Sequence, residues 1–189
     1  MYLVRKGAHK SRLSLKIGML AMAACLIPTP VRADVVMVTA RGTIQSSCAL
    51  SAQTGFGSAN LDADGSVNAT ALVDCNTPFK VSATSQNGAM KSATTPPSGF
   101  ANSLPYTLSV SVPLDSGSTV NASCGSATLV TGATSCALSP ASPTGLSSGS
   151  GVASSKVSNL TLQWTIPTVT RLVAGSYSDV VTIRIAVQQ

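Results

Sequence analysis

The side chains of this sequence that could do chemistry are few: five cysteines, one histidine and six carboxylates, all of them aspartate. Cys48, Cys75, Cys124 and Cys136 are spread along the chain with no CxxC pair among them, and the one histidine, His9, lies well before the first of them. Zinc sites need thiolate and imidazole ligands at short spacings, so these four cysteines read as two disulfides and no metal is expected. Four cysteines allow three connectivities. The simplest joins Cys48 to Cys75 and Cys124 to Cys136, because residues 124 to 136 read as a hairpin with Gly125 and Gly132 inside it. By loop-closure entropy each bridge would stabilise the fold by roughly 3 kcal/mol.

Among the carboxylates, Asp62 and Asp64 in NLDADG form the one near pair. That spacing could open a calcium loop, but the chain continues SVNATALV without the later bidentate glutamate such a loop requires, so a turn with solvated carboxylates is expected. With no glutamate anywhere and no histidine after residue 9, the usual general bases are missing. The chain is expected not to be an enzyme and to need no cofactor.

The N-terminal stretch MYLVRKGAHKSRLSLKIGMLAMAACLIPTPVRAD sets the compartment. Arg5, Lys6, Lys10, Arg12 and Lys16 precede an apolar run from Ile17 to Ile27 that is short for a membrane span, and Val31-Arg32-Ala33 offers a small-residue cleavage site before Asp34. Residues 1–33 therefore read as a secretory signal, and export into an oxidising compartment suits the disulfides. The leader holds six of the twelve basic residues, so residues 34–189 balance six Lys and Arg against six Asp. The net charge of +6 belongs to the leader, and no nucleic-acid partner is expected.

The elements that must carry these cysteines are strands. TIQSSCAL (43–50), VNATALVDC (67–75), FKVSATSQ (79–86), LPYTLSVSVPL (104–114), TVNASC (119–124), ATLVTG (127–132) and NLTLQWTIP (159–167) are short, rich in β-branched residues and separated by Gly, Ser, Pro, Asn and Asp. The pattern predicts an all-β, antiparallel β-sandwich of one domain, with Leu160, Leu162, Trp164 and Ile166 facing inward and long surface loops over 87–103 and 139–158. The closing AGSYSDVVTIRIAVQQ alternates strictly: Val181, Ile183, Ile185 and Val187 on one side, Thr182, Arg184, Ala186 and Gln188 on the other. A strand at the rim of a sheet leaves backbone donors and acceptors open to another chain, which natural proteins usually prevent.

Four runs in order, GTIQSSCALSAQTGFG, ALVDCNTPFKVSATSQNG, LPYTLSVSVPL and AGSYSDVVTIRIAVQQ, resemble the spore coat protein U domain, a family that includes subunits of archaic chaperone–usher pili. The resemblance covers nearly all of residues 42–189. It implies an immunoglobulin-like sandwich that is one strand short, a groove walled by Val181, Ile183, Ile185 and Val187, and completion of the sheet by another chain. The partners it implies are a periplasmic chaperone, an outer-membrane usher and neighbouring pilin subunits, in a cell-surface fimbria that supports adhesion or biofilm formation. Residues 34–42 would be the donated segment and 43–189 the pilin domain. Within DVVMVTARGTIQSS, Val36, Val38, Ala40, Gly42 and Ile44 share one face and Val35, Met37, Thr39 and Arg41 the other; burying Arg41 unpaired is costly, so the even-numbered face is the one expected to enter a neighbour. Residues 34–47 could instead form the domain's own first strand. Two other readings keep the sandwich: a stand-alone secreted protein binding a carbohydrate or surface ligand, and a spore-coat structural protein.

Overall fold

The computed structural model describes residues 41–131, 136–139 and 145–188. The signal over 1–33, the donor positions Val36, Val38 and Ala40, and Gly132 lie outside them. From Thr43 onward the described chain forms one compact unit.

Two antiparallel sheets enclose its core. The larger has five strands: β1 (Cys48–Thr54), β2 (Gly65–Cys75), β7 (Tyr106–Pro113), β8 (Thr119–Gly125) and β10 (Ala153–Trp164), ordered β1-β2-β10-β7-β8. The smaller is β12-β3-β9, built from β3 (Phe79–Ser85), β9 (Leu146–Ser147) and β12 (Val181–Val187). Between β3 and β7 run three two-residue strands, β4 (Met90–Lys91), β5 (Phe100–Ala101) and β6 (Ser103–Leu104); β4 pairs with β6, and β5 pairs in parallel with β11 (Arg171–Leu172).

Period-two alternation explains which side chains meet. Val73 and Cys75 of β2, Phe79, Val81 and Ala83 of β3, Leu108, Val110 and Val112 of β7, and Leu160, Leu162 and Trp164 of β10 are buried in one cluster, and Ile166 packs half-buried beside it. Each fully buried aliphatic or aromatic side chain contributes about 1.5–3 kcal/mol relative to exposure. Trp164 donates its Nε1–H to Ala63 O at 2.9 Å, and its ring lies so close to Gly65 that a Cβ there would meet Cζ2 at 2.7 Å. Glycine at 65 is what lets β2 cross the indole.

Four segments differ from the sequence pattern. The first strand begins at Cys48, not Thr43, because β2 ends opposite it at Cys75 and the next residue, Asn76, takes up the backbone before the strand. Its Oδ1 accepts Ser47 N at 2.8 Å and its Nδ2 donates to Gln45 O at 2.9 Å. ATLVTG is not a strand: Ser126–Thr131 is a short helix, α1. Ser126 Oγ accepts Tyr106 N and donates to Gly88 O, which ends the β7–β8 ladder at Gly125 and turns the chain so that Leu129 enters the core. The predicted loop 139–158 is strand from Ala153. The ladder breaks there at a bulge between Ala153 and Lys156, where Ser155 has φ of 50° and the turned-out amides of Ser154 and Ser155 are taken by Asp115 and Asp74. The loop over 87–103 likewise holds β4, β5 and β6.

Candidate functional site

The two sheets meet along two seams, and one is only half-covered. Among the described residues β1 pairs only with β2, and β12 only with β3. These two edge strands face each other, with Cα atoms as close as 8 Å or less, whereas the edge strands of the opposite seam, β8 and β9, lie beside α1 and the 136–139 segment, whose Leu129 and Leu138 are buried. Val181, Ile183 and Ile185 point toward the core yet remain half-buried, although Ser85, Ala83 and Val81, opposite them in the register, are buried. Val187 is 37 % exposed although its partner Phe79 is fully buried. Across the seam, Cys48 and Leu50 of β1 are also only half-buried.

Such an edge can accept an extended segment. Alternate residues of an antiparallel edge strand direct N–H and C=O away from their neighbour, and the apolar side chains beside them offer surface that a guest's alternate residues would cover. Among the described residues no titrating side chain lines this wall: Arg184 is on the outer, exposed side of β12.

Both cysteine pairs are disulfide-bonded, Cys48 to Cys75 and Cys124 to Cys136, with Cα–Cα distances of 4.1 and 5.7 Å. The first joins neighbouring strands of one sheet at an end of the half-covered seam. The second runs from β8 to a segment whose Leu138 O accepts Ala83 N of β3 at 2.7 Å, so it ties the two sheets together at the opposite seam.

The entry of β12 is fixed by Tyr177 and Asp179, which lie in the closing AGSYSDVVTIRIAVQQ run and to which the sequence pattern assigned no role of their own. Asp179 Oδ2 accepts Ser85 Oγ at 2.5 Å and Tyr106 Oη at 2.6 Å; Oδ1 accepts Asn87 N at 3.0 Å and Val180 N at 2.8 Å. Burial of the Tyr106 phenol, together with its bond to Asp179, raises its pKa well above the ordinary tyrosine value. Tyr177 Oη donates toward Val173 O at 2.8 Å and Ala101 O at 3.2 Å, and burial raises its pKa too. The spacing of Tyr177 and Asp179 in AGSYSDVV was the available signal: two polar side chains at i and i+2 just before a strand, each able to tie a loop to a neighbouring sheet.

The remaining candidates take ordinary places. Asp64 Oδ1 accepts Ile166 N at 2.6 Å, a structural tie, and no cluster able to hold a metal occurs among the described residues. Phe79, Tyr106 and Trp164 are buried, Phe56 and Tyr177 half-buried, and Phe100 is 39 % exposed, which among the described residues leaves a single exposed ring for sugar stacking. Of the donor positions only Gly42 is described. It is exposed, as is Ile44 at 90 %, and residues 41–47 belong to no strand. Comparison with family models, with curated proteins and with solved structures finds no match.

Proposed function

We propose that this chain is a structural subunit of a surface pilus of the chaperone–usher type, joined to its neighbours by donor-strand exchange. The observation that carries the reading is the half-covered seam: an apolar, half-buried β12 whose outer edge is unpaired among the described residues, facing an equally unpaired β1. On this reading the segment around Val36, Val38, Ala40 and Gly42 of one subunit enters the seam of the next. A periplasmic chaperone occupies the seam first, and an outer-membrane usher orders the exchange. The subunit is an immunoglobulin-like sandwich completed in trans and exported to the cell surface.

The seam's width adds a condition. A strand lying between β1 and β12 and hydrogen-bonded to both would hold them about 9.5 Å apart. Their present approach to 8 Å or less is narrower, so β1 moves outward as the guest enters. That motion suits β1, which has one neighbour, a register shift between Ala52 and Thr54, and exposed side chains from Ser51 to Thr54.

The test is polymerisation read on an unboiled denaturing gel. The exported chain should give a ladder that boiling collapses, because a strand buried in a closed sheet leaves slowly. Val38→Asp should abolish the ladder, since the carboxylate would be buried unpaired at a cost of several kcal/mol per junction. Thr39→Asp, on the opposite face, should leave it. A ladder that survives Val38→Asp, or a wild-type chain that stays a cooperative monomer at high concentration, refutes strand donation.

A further inference from the structure

We infer that Asp179 is a positioning residue for strand uptake: through a closed circuit of hydrogen bonds it fixes where β12 enters its sheet, and so keeps the acceptor edge extended while the seam is empty. The inference rests on the strand-acceptor reading above.

The circuit can be followed atom by atom. Tyr106 Oη and Ser85 Oγ both donate to Asp179 Oδ2. Ser85 Oγ accepts Gly88 N at 2.8 Å. Gly88 O accepts Ser126 Oγ at 2.6 Å, and Ser126 Oγ accepts Tyr106 N at 3.2 Å, which returns the path to the tyrosine. Four elements meet in it: β7, the first residue of α1, the corner after β3, and the residue two before β12.

An edge strand with one neighbour and a half-exposed apolar face belongs to the part of a fold that opens most easily. Apolar packing secures the start of β12 only in part, because Val181 is half-buried and Val180 just before it is 58 % exposed. Hydrogen bonds supply the rest. Gln86 N donates to Val180 O at 3.0 Å, and the four donors on Asp179 form charge-assisted bonds, roughly twice as strong as neutral ones. The far end is tied separately, through Gln188 N to Pro78 O at 2.8 Å and Ser147 Oγ to Gln188 Oε1 at 2.5 Å. The carboxylate is specifically required, because each of its oxygens accepts two bonds. An asparagine of the same size replaces one oxygen with a nitrogen that can only donate.

The experiment is hydrogen exchange on the exported, oxidised chain at low concentration, paired with uptake of a labelled synthetic peptide spanning residues 34–47. Asp179→Asn should lower amide protection over residues 181–187 by about tenfold or more, the scale of one lost bond to a charged group. Protection over 158–164 should change far less, and peptide association should slow. Tyr106→Phe, which removes one donor of the four, should give a smaller loss in the same segment. If Asp179→Asn does not accumulate as folded protein, the Tyr106→Phe pattern decides. Loss of protection confined to β12 supports the inference; equal loss in β10 and β12, or an unchanged β12, overturns it. A wild-type chain that takes up no peptide removes the strand-acceptor reading, while the exchange data still decide whether Asp179 holds β12.

Discussion

The two seams of this molecule use similar materials to opposite effect. At one, Cys124, Leu129, Cys136, Leu138 and Leu146 are all buried, α1 packs over the gap, and a disulfide ties β8 to the segment whose Leu138 O is bonded to β3. At the other, Cys48, Leu50, Val181, Ile183 and Ile185 are equally apolar but half-buried, and the disulfide joins two strands of one sheet. A covalent bridge across a seam fixes its width. A bridge within one sheet stiffens one wall and leaves the seam free to part. The difference teaches that the exposure here is local: most of the core is covered independently of the β1–β12 seam, which is what strand exchange at that seam, as proposed, would require.

Placing the same charge at each seam is the strongest way to break this comparison. Leu138→Asp buries a carboxylate at a fully enclosed position and should cost at least about 4 kcal/mol, enough to lose the folded protein. Ile183→Asp can turn its carboxylate to water and should cost under about 2 kcal/mol while blocking strand uptake. Thermal unfolding beside the polymer ladder reads both effects, and equal destabilisation would mean that the seams do not differ as described.

Removing the bridges one at a time sharpens the comparison. Each double Cys→Ser variant should lose about 3 kcal/mol in denaturant unfolding, since the closed loops differ modestly in length, 27 and 12 residues. Their consequences should part at the groove. Without Cys124–Cys136 the chain is weaker but still takes up peptide at the wild-type rate; without Cys48–Cys75 the β1 wall loses its fixed end and uptake changes. Identical uptake in both variants would deny the first bridge any role in the groove.

The smallest effect is alkaline. Burial and Asp179 hold the Tyr106 phenol protonated to higher pH in the folded chain than in the unfolded one. Its contribution is therefore fully present below about pH 10, the unfolded value, and is lost as pH rises through the folded value. Tyr177 is shifted in the same direction. Unfolding free energy should fall as pH rises beyond about 10, and Tyr106→Phe should flatten part of that fall, by about 1 kcal/mol. An unchanged slope in the variant would show that the phenol titrates alike in both states.

Several features were legible from residue types alone. The absence of glutamate and of any histidine after residue 9, the alternation in β2, β3, β7, β10 and β12, and the inward set Leu160, Leu162 and Trp164 depend on side-chain chemistry and a period of two, and both are local. The pairing of the cysteines was legible for a related reason, since each bond closes a short loop.

What the sequence could not decide was where pairing stops. Strand propensity in TIQSSCAL and ATLVTG is real, but β1 starts where Cys75 ends its partner, and the second segment becomes α1 because Ser126 is held by Tyr106 and Gly88. The Ser-rich stretch before Val157 looked like loop because its polarity hides a strand whose bulge is held by Asp74 and Asp115. Alternation in β12 predicted an apolar face but could not say whether that face would be covered; that depends on which strands lie beside it, a property of sheet order. Local chemistry determined which faces are apolar, and the packing of distant segments decided which one was left half-covered.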